Sequence, residues 1–318
     1  MSKQPLIDQL DGAIAELLAN PGATPASVDA SIVELLRIAH DLRDLPTPEF
    51  KASLRADLEG KAQVSAKAAV FRPGFRTVTP YLVPPGPEFL DFLKNVFNAE
   101  ETERTPAGPG RFHAEFRIGD SMLMVGVGSG RTMPVGLELY VPNADEVFKR
   151  AIDAGSRELQ PVMDAHWEEG LRFGCVEDPA GNQWVIATHR GSGGSHTPEG
   201  RNSLTASFFA AGASRLVEFI KEAFDANEIH RYEWPGGLYA SMRIGDSVVG
   251  VSEVSNHEWM RPLPATTYLY VPDCDALYEK ALRAGATSIA EPTDHDYGDR
   301  SGGVRDAWGN VWYMATPL

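Results

Sequence analysis

The chain has few cysteines, a shortage of positive charge and no long apolar run, and each scarcity excludes something. Cys175 and Cys274 are the two cysteines among 318 residues, and no CxxC or Cys/His zinc spacing accompanies them. They cannot build a disulfide framework, and buried structural thiols are the reading that fits them. Lys plus Arg number 29 against 44 Asp plus Glu, a net charge of −15. Phosphate recognition needs clustered Lys and Arg, so nucleic acid is not an expected partner, and anionic membrane surfaces are disfavoured for the same reason. No stretch approaches the ~18 apolar residues of a membrane span. The first twenty residues, MSKQPLIDQLDGAIAELLAN, place acids within their apolar periodicity and lack the hydrophobic core of a secretory signal. The expected compartment is the cytoplasm. The 43% hydrophobic and 23% charged content is that of ordinary globular protein, and the length suggests about two domains.

What is present is an internal repeat. RIGDS stands at Arg117–Ser121 and again at Arg243–Ser247, LYVP at Leu139–Pro142 and Leu269–Pro272. Gly181-Asn182 with Trp184 recurs as Gly309-Asn310 with Trp312, and Phe92, Lys94, Phe97 and Ala99 recur as Phe219, Lys221, Phe224 and Ala226. The offsets all lie between 126 and 130 residues, which marks two homologous modules, 76–190 and 202–318. The Gly/Ser-rich stretch 190–200 between them reads as a linker. Residues 1–60 stand outside the repeat. Thr24-Pro25 and Thr47-Pro48 read there as helix starts, so a small helical region is expected.

Within each module the periodicities read as a strand, an amphipathic helix, three strands, then a further strand, helix and strands. Phe89, Phe92, Leu93, Val96 and Phe97 fall on one helical face, as do Leu216, Phe219, Ile220, Ala223 and Phe224. Gly119-Asp120 and Gly245-Asp246 are hairpin signals. The chain is therefore α+β, four βαβββ units in two tandem modules.

These features resemble the vicinal oxygen chelate superfamily of glyoxalases, bleomycin-resistance proteins and dioxygenases, and within it the PhnB-like branch. The motifs are HAEFRIGDSMLM (113–124), LYVPNADEVFKRAIDAG (139–155) and DAHW…GCVEDPAGNQWVIATH (164–189), echoed at 239–247, 270–285 and 294–316. The resemblance implies curved sheets that enclose a cavity, and two modules fused into an intramolecular pseudo-dimer, with a homodimer also open. The family's metal enzymes place His, Gln or Glu at four strand positions. Ungapped matching puts Val78 or Thr79, Met124 or Val125, Gly136 and Val185 there in module 1. In module 2 it puts Leu204 or Thr205, Gly250 or Val251, Thr266 and Tyr313 there. Neither is a divalent-metal set, so no metal and no cofactor is expected.

Period-two alternation then separates the sheet faces. Phe112, Ala114, Phe116 and Ile118, and likewise Leu137, Leu139 and Val141, are assigned to the helices. His113, Glu115, Arg117, Glu138 and Tyr140 are left for a polar cavity in module 1. Tyr239, Ser241, Arg243, Tyr268, Tyr270 and Tyr313 are left for an aromatic cavity in module 2. Trp167 and Tyr297 stand at matching loop positions and are candidates to cover the mouths. Blander readings stand beside these. The polar residues suit a solvated sheet face, the tyrosines suit packing between modules, and Arg117 and Arg243 suit pairing with Asp120 and Asp246 as well as holding an anion. Trp184 and Trp312 alternate toward the core, and GVGSG (126–130), with no helix after it, does not read as a phosphate loop.

The expected function is a metal-free small-molecule binding protein with its ligand on the concave sheet faces. The alternatives are an enzyme using His113 with Glu115 or Glu138 as acid, base or metal ligands, and a sensor whose N-terminal helices recruit a partner.

Overall fold

The computed structural model describes residues 72, 74–190, 195–198, 200–256 and 260–318. The expected N-terminal helices over 1–60 lie outside the described residues. Four βαβββ units follow one another, as the sequence predicts. They are β1 (Val78–Leu82), α1 (Phe89–Phe97), β2 (Glu100–Pro106), β3 (Phe112–Ile118) and β4 (Ser121–Val127); then β5 (Gly136–Tyr140), α2 (Ala144–Asp153), β6 (Arg157–Asp164), β7 (Leu171–Glu177) and β8 (Gln183–His189). The second repeat supplies β9 (Leu204–Ala210), α3 (Ala213–Phe224), β10 (Asn227–Trp234), β11 (Gly237–Ile244) and β12 (Ser247–Glu253); then β13 (Thr266–Tyr270), α4 (Cys274–Arg283), β14 (Thr287–Asp294), β15 (Asp299–Arg305) and β16 (Val311–Pro317).

Local chemistry sets the element ends at matching places in both repeats. Helices α2 and α4 start on Asn143 and Asp273, whose side chains accept the Glu146 and Ala276 N–H. Helices α1 and α3 stop at Asn98 and Asp225, both in the left-handed conformation that short polar residues tolerate. Each helix buries one apolar stripe. The six large buried side chains of α1 contribute on the order of 10 kcal/mol gross, an upper bound.

The strands form two eight-stranded mixed sheets. Sheet A runs β14-β15-β16-β13-β1-β4-β3-β2 and sheet B runs β10-β11-β12-β9-β5-β8-β7-β6. Each sheet therefore joins the first half of one repeat to the second half of the other. The seams are antiparallel: β1 pairs β13 (Thr79 opposite Tyr268) and β9 pairs β5 (Thr205 opposite Glu138). The helix-facing cores stay within the repeats. One holds residues between Leu82 and Ile186 together with Leu204, and the other holds residues between Ala206 and Met314 together with Val78. Trp184 and Trp312 are fully buried in them and pack on Phe97 and Phe224 at 4.2 and 4.4 Å. Their indole N–H groups donate to Asp178 and Asp306, which also accept from Asn182 and Asn310. The repeated Asp…Gly-Asn…Trp pattern is thus a buried polar clasp at the entry to β8 and β16.

The repeated Gly-Asp-Ser turns lock the repeats together. Asp120 and Ser121 accept the Ser203 and Leu204 N–H at 2.8 and 3.0 Å. Asp246 and Ser247 accept the Thr77 and Val78 N–H at 2.8 and 2.9 Å. Each turn holds the start of the other repeat's first strand. Gly119 and Gly245 have φ of 59° and 58°, and a β-carbon on either would strike Ser203 or Thr77, so the tight approach requires glycine. Neither Arg117 nor Arg243 forms an ion pair with its nearby aspartate among the described residues. Asp120 instead meets Arg76 at 3.3 Å.

Candidate functional site

The predicted alternation holds on both sheets. Ala114, Phe116, Ile118, Leu137, Leu139 and Val141 lie in a helix-facing core. The grouping of the opposite faces is what the crossed sheets change. His113 and Glu115 share sheet A with Tyr268, Tyr270 and Tyr313, whereas Glu138 and Tyr140 share sheet B with Tyr239 and Ser241. The expected division into one polar and one aromatic cavity is replaced by two composite faces. A triad of His113, Glu115 and Glu138 does not form, because Glu138 lies on the other sheet.

Sheet A lines an open cavity of about 830 Å³. Tyr81, Tyr268, Tyr313, Tyr297 and His113 supply aromatic walls; Thr266 and Ser301 supply hydroxyls; Arg111 and Arg131 stand in the lining with Glu291. Tyr81 lies 5.7 Å from the His113 ring in a stacked arrangement and 6.3 Å from Tyr313, which lies 6.2 Å from Tyr268. The phenols are kept neutral. Burial first, and the neighbouring phenols second, push Tyr81 up to about 12 against the pull of Arg111. Burial raises Tyr313 against Arg305 and Arg131, and raises Tyr268 far above the usual phenol range. At neutral pH these groups are hydrogen-bonding hydroxyls, not phenolates. Tyr297 is 63% exposed at the cavity edge, stacks on His295 at 4.8 Å and hydrogen-bonds Ser301 at 3.1 Å.

Glu115 is committed to structure. It is 3% exposed, its Oε1 lies 2.6 Å from Arg72 Nη1 and 3.5 Å from His113 Nε2. Arg72 also donates to the Tyr270 hydroxyl at 3.2 Å. Tyr270 is raised to about 12 by burial, with Arg72 opposing. Arg72 stands six residues before β1, and Arg201, three residues before β9, does the equivalent work on sheet B. There Arg201 Nη1 meets Glu138 at 2.9 Å and the Tyr140 hydroxyl at 3.2 Å, and Nη2 donates to Ser241. Tyr140 and Tyr239 donate to the two Glu138 oxygens at 2.9 and 3.2 Å. Beside this network Leu171, Phe173, Cys175, Phe209, Met260 and Leu263 form a packed cluster. Trp167 rests on Phe173 at 5.2 Å at the edge of the same face. Arg117 is exposed and Arg243 half-buried, and neither lines the sheet A cavity.

Sequence reasoning misses Tyr81, Arg111, Arg131, Arg72 and Arg201. Tyr81 was within reach, since it alternates with Thr79 along β1. Arg72 and Arg201 lie in linkers at different distances from β1 and β9, so no repeat register marks them.

The four strand positions that bear metal ligands in this fold come together on sheet A from β1, β4, β13 and β16, not from within one repeat. This corrects the matching by module. Thr79, Tyr81, Met124, Gly126, Thr266, Tyr268 and Tyr313 lie on the concave side there, and Tyr81, Gly126, Thr266, Tyr268 and Tyr313 line the cavity. Neutral phenols, a thioether and two threonines are poor ligands for a hard or borderline divalent ion. Among the described residues no cluster of three or more His, Cys, Asp or Glu is placed to hold a metal.

Paired βαβββ units forming a curved sheet around a small-molecule-sized cavity define a class of fold. A family model described as the Glyoxalase/Bleomycin resistance protein/Dioxygenase superfamily matches residues 203–314. The chain belongs to that superfamily. Uncharacterized proteins of Mycobacterium bovis and Mycobacterium tuberculosis are 34% identical to it over 117 residues, covering 33% of this chain and 77% and 69% of theirs. Among solved structures, glyoxalase I from Zea mays superposes with a TM-score of 0.57 at 10% identity, over 76% of this chain and 92% of that one. A putative dioxygenase from Bacillus subtilis gives 0.52 at 15% identity, over 75% and 84%. At such identities the likeness is one of fold. No helix among the described residues is long and apolar enough to cross a membrane.

Proposed function

We propose that the protein is a metal-free small-molecule binding protein of the PhnB-like branch, acting in the cytoplasm, whose ligand occupies the concave face of sheet A. One observation carries this reading: an ~830 Å³ cavity whose floor is neutral phenols and hydroxyls where a metal site would need carboxylates and imidazoles. Tyr81, Tyr268 and Tyr313 present ring faces and edges to a ligand, and Thr266 and Ser301 orient its polar atoms.

An enzymatic reading rests on His113, which among the described residues both lines the cavity and neighbours a buried carboxylate, Glu115. The geometry favours binding, because Glu115 is already neutralised by Arg72. The test is elemental analysis after loading with Zn²⁺, Ni²⁺, Mn²⁺ and Fe²⁺, followed by a thermal-shift screen of small molecules. No stoichiometric metal is expected, and hits are expected to vanish in Tyr313→Ala while surviving His113→Ala. One tightly held metal per chain, or hits indifferent to Tyr313, would sink the reading.

A further inference from the structure

Resting on the binding role proposed for sheet A, we infer that its ligand is a planar aromatic anion, with its ring system among the phenols and its negative group at Arg111 and Arg131. The rings are contiguous. His113, Tyr81, Tyr313 and Tyr268 follow one another at centroid separations of 5.7, 6.3 and 6.2 Å across β3, β1, β16 and β13. Such a surface favours a flat π-system over a sugar or a peptide, since offset stacking and edge contacts need extended planes.

The polarity has a direction. Arg111 precedes β3 and Arg131 follows β4, and Phe112 stands opposite Val127 in that hairpin, so both cations sit at one end of the sheet. The Arg131 backbone is held by Ser129, whose hydroxyl accepts its N–H at 3.2 Å and donates to its carbonyl at 3.1 Å. Neither arginine forms an ion pair with a described carboxylate, in a chain whose net charge is −15. Glu291, the carboxylate in the lining, lies on β14, toward the opposite edge of the sheet from β3. At the cavity floor the Thr266 hydroxyl has no hydrogen-bond partner although the residue is only 2% exposed. A buried hydroxyl left unpaired is costly, so a ligand heteroatom there is favoured. The phenol faces of Tyr81, Tyr313 and Tyr268 would also suit an aromatic cation. The paired arginines work against that choice and for an anion, which they meet by charge-assisted hydrogen bonds.

The test compares two fluorescent probes with the same ring system, anilinonaphthalene sulfonate and its uncharged parent N-phenylnaphthylamine, on the full chain. The sulfonate is expected to bind at least about tenfold more tightly, and Arg111→Ala with Arg131→Ala to remove that preference. Both arginines are exposed, so the double variant should keep its thermal midpoint. Tyr313→Ala should weaken both probes. Equal affinities, a preference that survives the double variant, or tighter binding of the cationic dye thioflavin T overturns the anion assignment while leaving the binding role intact. Failure of all probes to bind, or binding indifferent to Tyr313→Ala, overturns both.

Discussion

The two concave faces share a scaffold and differ in what covers it. On β15 of sheet A the residues on the concave side are Asp299, Ser301 and Gly303; at the same repeat positions on β7 of sheet B stand Leu171, Phe173 and Cys175. Val83 and Met133, which form an isolated bridge beside the cavity, correspond to Phe209 and Leu263. Larger apolar side chains thus occupy on sheet B the space that small ones leave on sheet A. The carboxylates have also moved. Glu115 on β3 corresponds to Ser241, and Glu138 on β5 corresponds to Tyr268, yet each carboxylate meets an arginine from the segment ahead of β1 or β9. A shared backbone with exchanged side chains yields one face with an open cavity and one that is packed.

The largest expected break in this comparison is Arg201→Ala. The guanidinium and Glu138 are 12% and 11% exposed, so removal leaves a buried charge without its partner, a loss of about 3–5 kcal/mol. Arg72→Ala should cost less, about 1–3 kcal/mol, because its side chain is 31% exposed and water can replace part of it. Urea denaturation of the two variants reads the difference, and equal losses would erase the asymmetry.

Next in size is Ser301→Phe, which carries the sheet B residue into sheet A. It should lower affinity for cavity ligands by on the order of a hundredfold while changing stability by no more than about 1–3 kcal/mol. A variant that binds as the parent does would show that Ser301 does not bound the occupied volume.

The smallest effect is a pH dependence. Tyr81 rises from an ordinary 10.0 to about 12 in the folded chain. A raised phenol favours the folded state below the unfolded value, and that contribution is lost as pH climbs from 10 through about 12. Allowing for water in the open cavity, it amounts to about 1–2 kcal/mol. Tyr81→Phe should flatten stability across that interval, and an unchanged slope would show that Tyr81 is not the group responsible.

Much of this was legible without coordinates because it is local or periodic. Alternation along β3 and β5 assigned Phe116 and Leu137 to the core and His113 and Glu138 to the other face correctly. The helical stripes of α1 and α3 were visible for the same reason. Arg117 and Arg243 lie in a repeated motif, but the motif repeats for its Gly-Asp-Ser turn, which holds the other repeat's first strand. Arg72 and Arg201 are not legible in the sequence, because linkers carry no period to read.

The amino-acid sequence by itself determined the four βαβββ units, the faces of their strands and the cores of each repeat, since side-chain periodicity and caps act within a few residues. Which face meets which was decided only in three dimensions. Strand pairing β1 to β13 and β9 to β5 is a contact between distant segments. It places Tyr268 and Tyr313 opposite His113 and Tyr81, and separates Glu115 from Glu138.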